Sequence, residues 1–95
     1  MAVYLISSID VTDETDHDEY HEQGEALVSN HGGRYLVNRG RIEVLKGEWA
    51  PRHVSIIEFD DADSLETMFE SDDFARLREL AAGFVEGNLV RVDGE

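Results

Sequence analysis

The sequence predicts an α+β domain: a ferredoxin-like βαββαβ plait, with an antiparallel four-stranded sheet and two helices on one face. Three observations predict it. Runs dominated by β-branched and aromatic residues stand at Val3 to Ile9 and His53 to Phe59, with an alternating run at Asn88 to Val92. Two stretches with apolar residues at helical spacing separate them. The order strand, helix, strand, strand, helix, strand closes into this plait when its crossovers are right-handed. At 95 residues the whole chain, 1–95, is one such domain, too short to divide its core.

Val3 to Ile9 opens the sheet as a buried strand. Thr12 or Asp13 can cap the helix that follows, and Glu14, Asp16, Asp18 and Glu19 crowd its positive end, where the helix dipole favours acids. At about 100° per residue, Tyr20, Gly24, Leu27, Val28 and His31 share a narrow arc, the stripe that faces a sheet. Gly32-Gly33 stops the helix, one glycine as a left-handed cap and the other in the turn. Arg34 to Val37 and Ile42 to Leu45 read as two short extended segments around an Asn38-Arg39-Gly40 turn, with a second turn at Lys46-Gly47. His53 to Phe59 is the clearest strand and belongs at the centre of the sheet.

Asp60, Asp61 and Asp63 precede Leu65, Met68 and Phe69, and Ser71-Asp72 then breaks the helix before Phe74, Leu77, Ala81 and Phe84 resume one face. Gly87 is expected to end it, and Asn88 to Val92 to complete the sheet. Such a plait leaves one sheet face uncovered. Two sheets packed face to face would form a dimeric α+β barrel, so a homodimer is expected.

Charge narrows the partners. The 22 acidic and 8 basic residues leave a net charge of −14, which repels phosphate backbones and anionic lipid, so neither nucleic acid nor membrane is expected. The acidity reads as solubility, or adaptation to high salt, before it reads as a recognition surface. The absence of cysteine excludes disulfides, thiol catalysis and cysteine-based zinc sites. Met1 to Asp10 has no basic region before its short apolar run, so neither a signal peptide nor a membrane span is expected, and a cytoplasmic location follows by default.

Asp10 to Asp13 (DVTD), Tyr20, Gly32 to Gly40 (GGRYLVNRG), Glu43 to Arg52 (EVLKGEWAPR) and Ile56 to Phe59 resemble, along nearly the whole chain, the domain of unknown function 1330 (DUF1330) family. A later motif of that family is similar to Ser71, Phe74, Leu77 and Arg78, which marks Arg78 as a ligand-side candidate. The chain departs from the family where Met68-Phe69 stands for an aromatic pair and Ala81 or Ala82 for an arginine. The resemblance implies the homodimeric α+β barrel also used by cofactor-free monooxygenases, muconolactone isomerase and some polyketide cyclases. It implies none of their reactions, because function lives in sites grafted onto folds.

His17 and His21 are four apart on a helix, as two imidazoles sharing a metal would be. Asp18 rather than Glu follows His17 and no third ligand is marked, so no metal and no cofactor are expected. His31 sits where a cation suits the helix's negative end. His53 begins the central strand beside Arg52 and near Trp49. It is the first candidate for a general base, with His17 second, although a strand-end histidine satisfied by backbone is the plainer account. Arg34, Arg39, Arg41 and Arg52 are half of the chain's eight basic residues within nineteen positions. Guanidinium forks suit carboxylates, which makes Arg39 and Arg52 candidates for a ligand or a developing enolate; ion pairs with the surplus acids of neighbouring strands or a dimer partner are the plainer account. Trp49 is a candidate ligand platform, but reads first as a lid over a core or a dimer seam. Tyr20, Phe69 and Phe74 project from the helices, Tyr20 as a substrate-positioning candidate, and core packing accounts for all three as well.

No phosphate-binding loop, nucleophile elbow or carboxylate pair is present, so the residues specify no reaction. Two functions are carried forward. One is a small homodimer binding an apolar or carboxylate-bearing molecule between sheet and helices. The alternative is a cofactor-independent enzyme of monooxygenase, isomerase or cyclase type with a histidine base.

Overall fold

A computed structural model describes the backbone of residues 1–11, 17–51, 53–81 and 85–94, together with their side chains except those of 9–11, 17–19, 81, 85 and 86. The elements are β1 (Val3–Val11), α1 (His17–Asn30), β2 (Arg34–Arg41), β3 (His53–Phe59), α2 (Ala62–Glu70), α3 (Asp72–Ala81) and β4 (Val85–Asp93). The four strands form one antiparallel sheet in the order β2-β3-β1-β4. This is the ferredoxin-like α+β plait, with β3 and β1 inside and β2 and β4 at the edges. The caps expected at Thr12 or Asp13 lie outside the described residues.

Alternation decides which face is buried. Val3 and Leu5 of β1 and Ile57 and Phe59 of β3 point to the helices, where they meet Leu27, Val28, Leu65, Met68 and Leu77. Phe59, Leu65 and Met68 are no more than 2% exposed, and each contributes about 1.5–3 kcal/mol by leaving water. Tyr20, Phe69 and Phe74 pack against this core from its edge. No helix among the described residues is long and apolar enough to cross a membrane.

Helix ends are set by individual side chains. Gly32, at φ +79, takes the left-handed position after α1, with Gly32 N–H bonded to Ser29 and Gly33 N–H to Val28. Gly33 has a different reason to be glycine: a Cβ there would come within 2.7–2.8 Å of Val28 and the Phe59 ring. Asp61 caps α2 by accepting from Ser64 N–H at 2.8 Å, and that bond holds its carboxyl below the usual range. Ser71 serves two helices: its N–H and hydroxyl donate to the Met68 carbonyl (3.2 and 2.6 Å), while its Oγ accepts from Phe74 N–H at 3.1 Å. The expected break is therefore a shared cap between α2 and α3.

Two expected boundaries are corrected. Asn38-Arg39-Gly40 is not a turn between two segments; β2 runs through it to Arg41, with register shifts between Tyr35 and Val37 and between Val37 and Gly40. Both flanks pair with β3, and Arg39 at φ 55 absorbs the extra residues as a bulge. Ile42 to Leu45 forms no strand, since Arg41 already faces the first residue of β3 and nothing further remains to pair with. Gly87 does not end a helix either. Strand β4 begins at Val85, because β1 extends to Val11 and offers it a partner there.

Among the described residues, the far face of the sheet carries no element. The molecule is 32 × 30 × 16 Å, the short dimension being one sheet plus one helix layer. Tyr4, Ile6, Val54, Ile56, Val37, Val90 and Val92 lie on this open face by register, and the last three are 37%, 52% and 43% exposed.

Candidate functional site

At the end of the sheet where β3 begins, the core gives way to polar and small residues. Ser7 faces Ser55 across the strands on the helix side, one pair further along than Leu5 and Ile57. Gly24 of α1 lies above them without a side chain, and a Cβ there would meet nothing closer than Leu77 at 4.0 Å. Three positions of small volume facing one another leave a cavity of about 70 Å³. It is lined by Ser7, Tyr20, His21, Gly24, Tyr35, Asn38, Arg39, His53, Ser55 and Ile57.

The β2 bulge shapes this cavity. Arg39 holds a positive φ, uncommon for a residue with a Cβ and costing of order 1 kcal/mol. Its backbone N–H donates to the Ser55 hydroxyl at 2.8 Å, which fixes the bulge against β3. Asn38 next to it donates to Glu25 of α1 at 2.9 Å, tying the strand edge to the helix. Burial pushes the Tyr35 phenol up to about 12, helped by Glu25 and Tyr20 and opposed by the nearby Arg39 cation. Burial raises Tyr20 as well. Both phenols are therefore neutral hydrogen-bond donors at physiological pH. The Tyr20 and His21 rings meet edge to face with centroids 5.5 Å apart.

Of the residues singled out in the sequence, His53, Tyr20 and Arg39 meet at this cavity. Arg52 and the side chain of His17 lie outside the described residues. Phe69 and Phe74 contact each other instead, edge to face at 4.7 Å, with the Arg78 guanidinium 5.8 Å from the Phe74 ring. These three form a cluster on α2 and α3 and do not line the cavity. Trp49 is 61% exposed and borders a shallow trough of about 340 Å³ over Ser8, Gly87 and Asn88. His31 Nδ1 donates to the Leu27 carbonyl at 2.9 Å, a capping role. The arginine cluster is split. Arg34 lies at the opposite end of β2, where its guanidinium binds Glu58 and Asp60. Glu58 also bonds Tyr4, whose phenol is raised chiefly by that bond.

Sequence reading passed over Ser7, Ser55, Tyr35 and Asn38. The signal for the serines was present: each stands in an apolar strand at the parity of buried residues, Ser7 after Leu5 and Ser55 before Ile57. Tyr35 faces the helices through its regular pairing with Ile57, whereas the signal for Asn38 was masked, because its facing depends on a bulge the sequence does not announce.

Fold and cavity together define a ferredoxin-like α+β protein with a small polar pocket at one end of its sheet. Such folds host many unrelated activities, so class alone names none. The chain belongs to the family described as Domain of unknown function (DUF1330), whose model matches residues 2–95. No curated protein matches it. Among solved structures it is similar to a protein of unknown function from Rhodopseudomonas palustris, with TM-score 0.78 and 15% identity over 99% of this chain and 82% of that one. It is also similar to SnoaB, a cofactor-independent oxygenase from Streptomyces nogalater (TM-score 0.73, 12% identity, 99% and 93% covered). A third is a dimeric ferredoxin-like protein of unknown function from Jannaschia sp. CCS1 (TM-score 0.65, 12% identity, 99% and 100% covered). At these identities the likeness is one of fold.

Proposed function

We propose that this protein is a small homodimer that binds a small organic molecule in the cavity between α1 and the end of the sheet. The observation that carries the binding reading is the convergence of Tyr20, Tyr35, Arg39, His53 and two serines on one concavity, while Val3, Leu5, Ile57 and Phe59 further along β1 and β3 pack into the apolar core. Polar groups collected at a gap in a core are the usual makings of a ligand site. The enclosed volume is well below the roughly 300 Å³ of a site that swallows a drug-sized molecule, so part of the ligand remains at the mouth.

The open sheet face supports the homodimer. Among the described side chains it carries one carboxylate, Glu58, and that one is bonded to Arg34 and Tyr4. A face otherwise lined by Ile6, Ile56, Val54, Val90 and Val92 in a chain of net charge −14 suits a copy of itself. Its 32 × 30 Å extent is enough for the roughly 800 Å² that each partner buries in a standard interface. The dimeric relative from Jannaschia is consistent with the same assembly.

A second reading is a cofactor-independent enzyme, favoured by the meeting of His53, Tyr20 and Arg39 at one cavity. His53 would take a proton, Tyr20 would position the substrate, and Arg39 would stabilise an enolate. The binding reading is tested by a thermal-shift screen of small aromatic acids and their neutral analogues, followed by amide chemical-shift mapping. Hits are expected to move the signals of Ser7, Tyr35 and Ser55. A screen whose hits all map elsewhere, or that yields none, overturns the reading.

A further inference from the structure

We infer that the cavity receives a carboxylate: the anionic head of a small organic acid enters beside Arg39 and His53, and the remainder of the molecule lies at the mouth. This rests on the small-molecule reading above and names the chemistry of its ligand. Three independent features point the same way.

The first is charge. With 22 acids in 95 residues, ten lining residues would include about two at the chain average, yet none of the ten described lining residues is Asp or Glu. The neighbouring carboxylate, Glu25, is occupied by Asn38. Arg34, Arg76 and Arg91 are each bonded to carboxylates of their own chain, whereas Arg39 has no carboxylate partner among the described residues. Arg41 lies next to it, opposite His53. Among the described residues, this strongly acidic protein thus keeps a cation-bearing hollow clear of acids, which is what an anion requires.

The second is donor supply. The Ser55 oxygen already accepts from Arg39 N–H, leaving its hydroxyl hydrogen to donate. The neutral phenol of Tyr35 and the hydroxyl of Ser7 add donors from two other strands. The bulge that Ser55 pins is also what sets Arg39 at the rim, so Ser55 acts on the guanidinium as a positioning residue.

The third is size. A hollow of about 70 Å³ takes the head group of a small molecule and leaves the rest at the mouth. A doubly charged phosphate is disfavoured more than a singly charged carboxylate by a chain of charge −14.

The test uses benzoate and its uncharged isostere benzamide as probes, titrated into the full-length protein at constant ionic strength and followed by amide chemical shifts. Benzoate is expected to move the Ser7, Tyr35 and Ser55 signals at least about tenfold more tightly than benzamide, because charge-assisted bonds exceed neutral ones by roughly that factor. Arg39→Gln should remove this preference, Arg39→Lys should restore part of it, and neither should change the melting temperature appreciably. Ser55→Ala should weaken benzoate more than benzamide, because it removes a donor from both and loosens Arg39 for benzoate alone. Equal binding of the two probes, or a preference that survives Arg39→Gln, overturns the carboxylate assignment and leaves the small-molecule reading intact. If neither probe moves these signals, both fall.

Discussion

Tyr35 shows how much a single side chain depends on its surroundings. Residue type does not set it apart from Tyr4, yet its pairing with Ile57 turns it to the helix side and burial lifts its phenol to about 12. The folded value lies above the unfolded one, near 10, so the stability Tyr35 contributes is complete below pH 10 and is lost as pH rises from there towards 12. Ultraviolet titration should show one tyrosine ionising near pH 12, and Tyr35→Phe should remove that late step. Ionisation of all three tyrosines in a single step near pH 10 would contradict the burial assigned to it. His53, Tyr20 and Arg39 were legible as candidates because their residue types carry chemistry. Ser7 and Ser55 were harder to see, since a serine on the buried face of a strand announces itself only after that face is known.

At the level of elements, the hydrophobic runs of β1 and β3 and the helical stripe from Tyr20 to His31 settled the architecture, because alternation and helical period report burial directly. Boundaries that depend on pairing were not legible. The Asn-Arg-Gly stretch has turn chemistry, yet β3 supplies partners on both sides of it, and the ladder wins over local propensity. Trp49 and Leu45 lie in the segment that lost its predicted strand, and both are exposed, at 61% and 88%. Ser71 is the converse case, where a local signal held. Ser71→Ala deletes the hydroxyl that closes α2 and opens α3, so it should destabilise the protein by about 1–2 kcal/mol in denaturant melts. A loss well under that would mean that the two helices do not share a cap.

On the scale of the whole molecule, composition and topology point at one unfinished surface. The helices cover one face of the sheet, while the other presents, among the described side chains, isoleucines and valines around a single bonded carboxylate. A plait of 95 residues with an exposed face of this kind is stable and soluble when a copy of itself covers that face. The sequence already implied this, since six elements with two helices can cover only one side. It could not show that Glu58 on the open face is neutralised by Arg34 across β2 and β3. Light scattering at micromolar concentration tests the assembly most directly. The wild type is expected at twice the 10.7 kDa chain mass, and Ile56→Asp, which places a charge at the centre of the face, at the single-chain mass. A wild-type chain that runs as a monomer, or an Ile56→Asp variant that remains a dimer, would contradict the account.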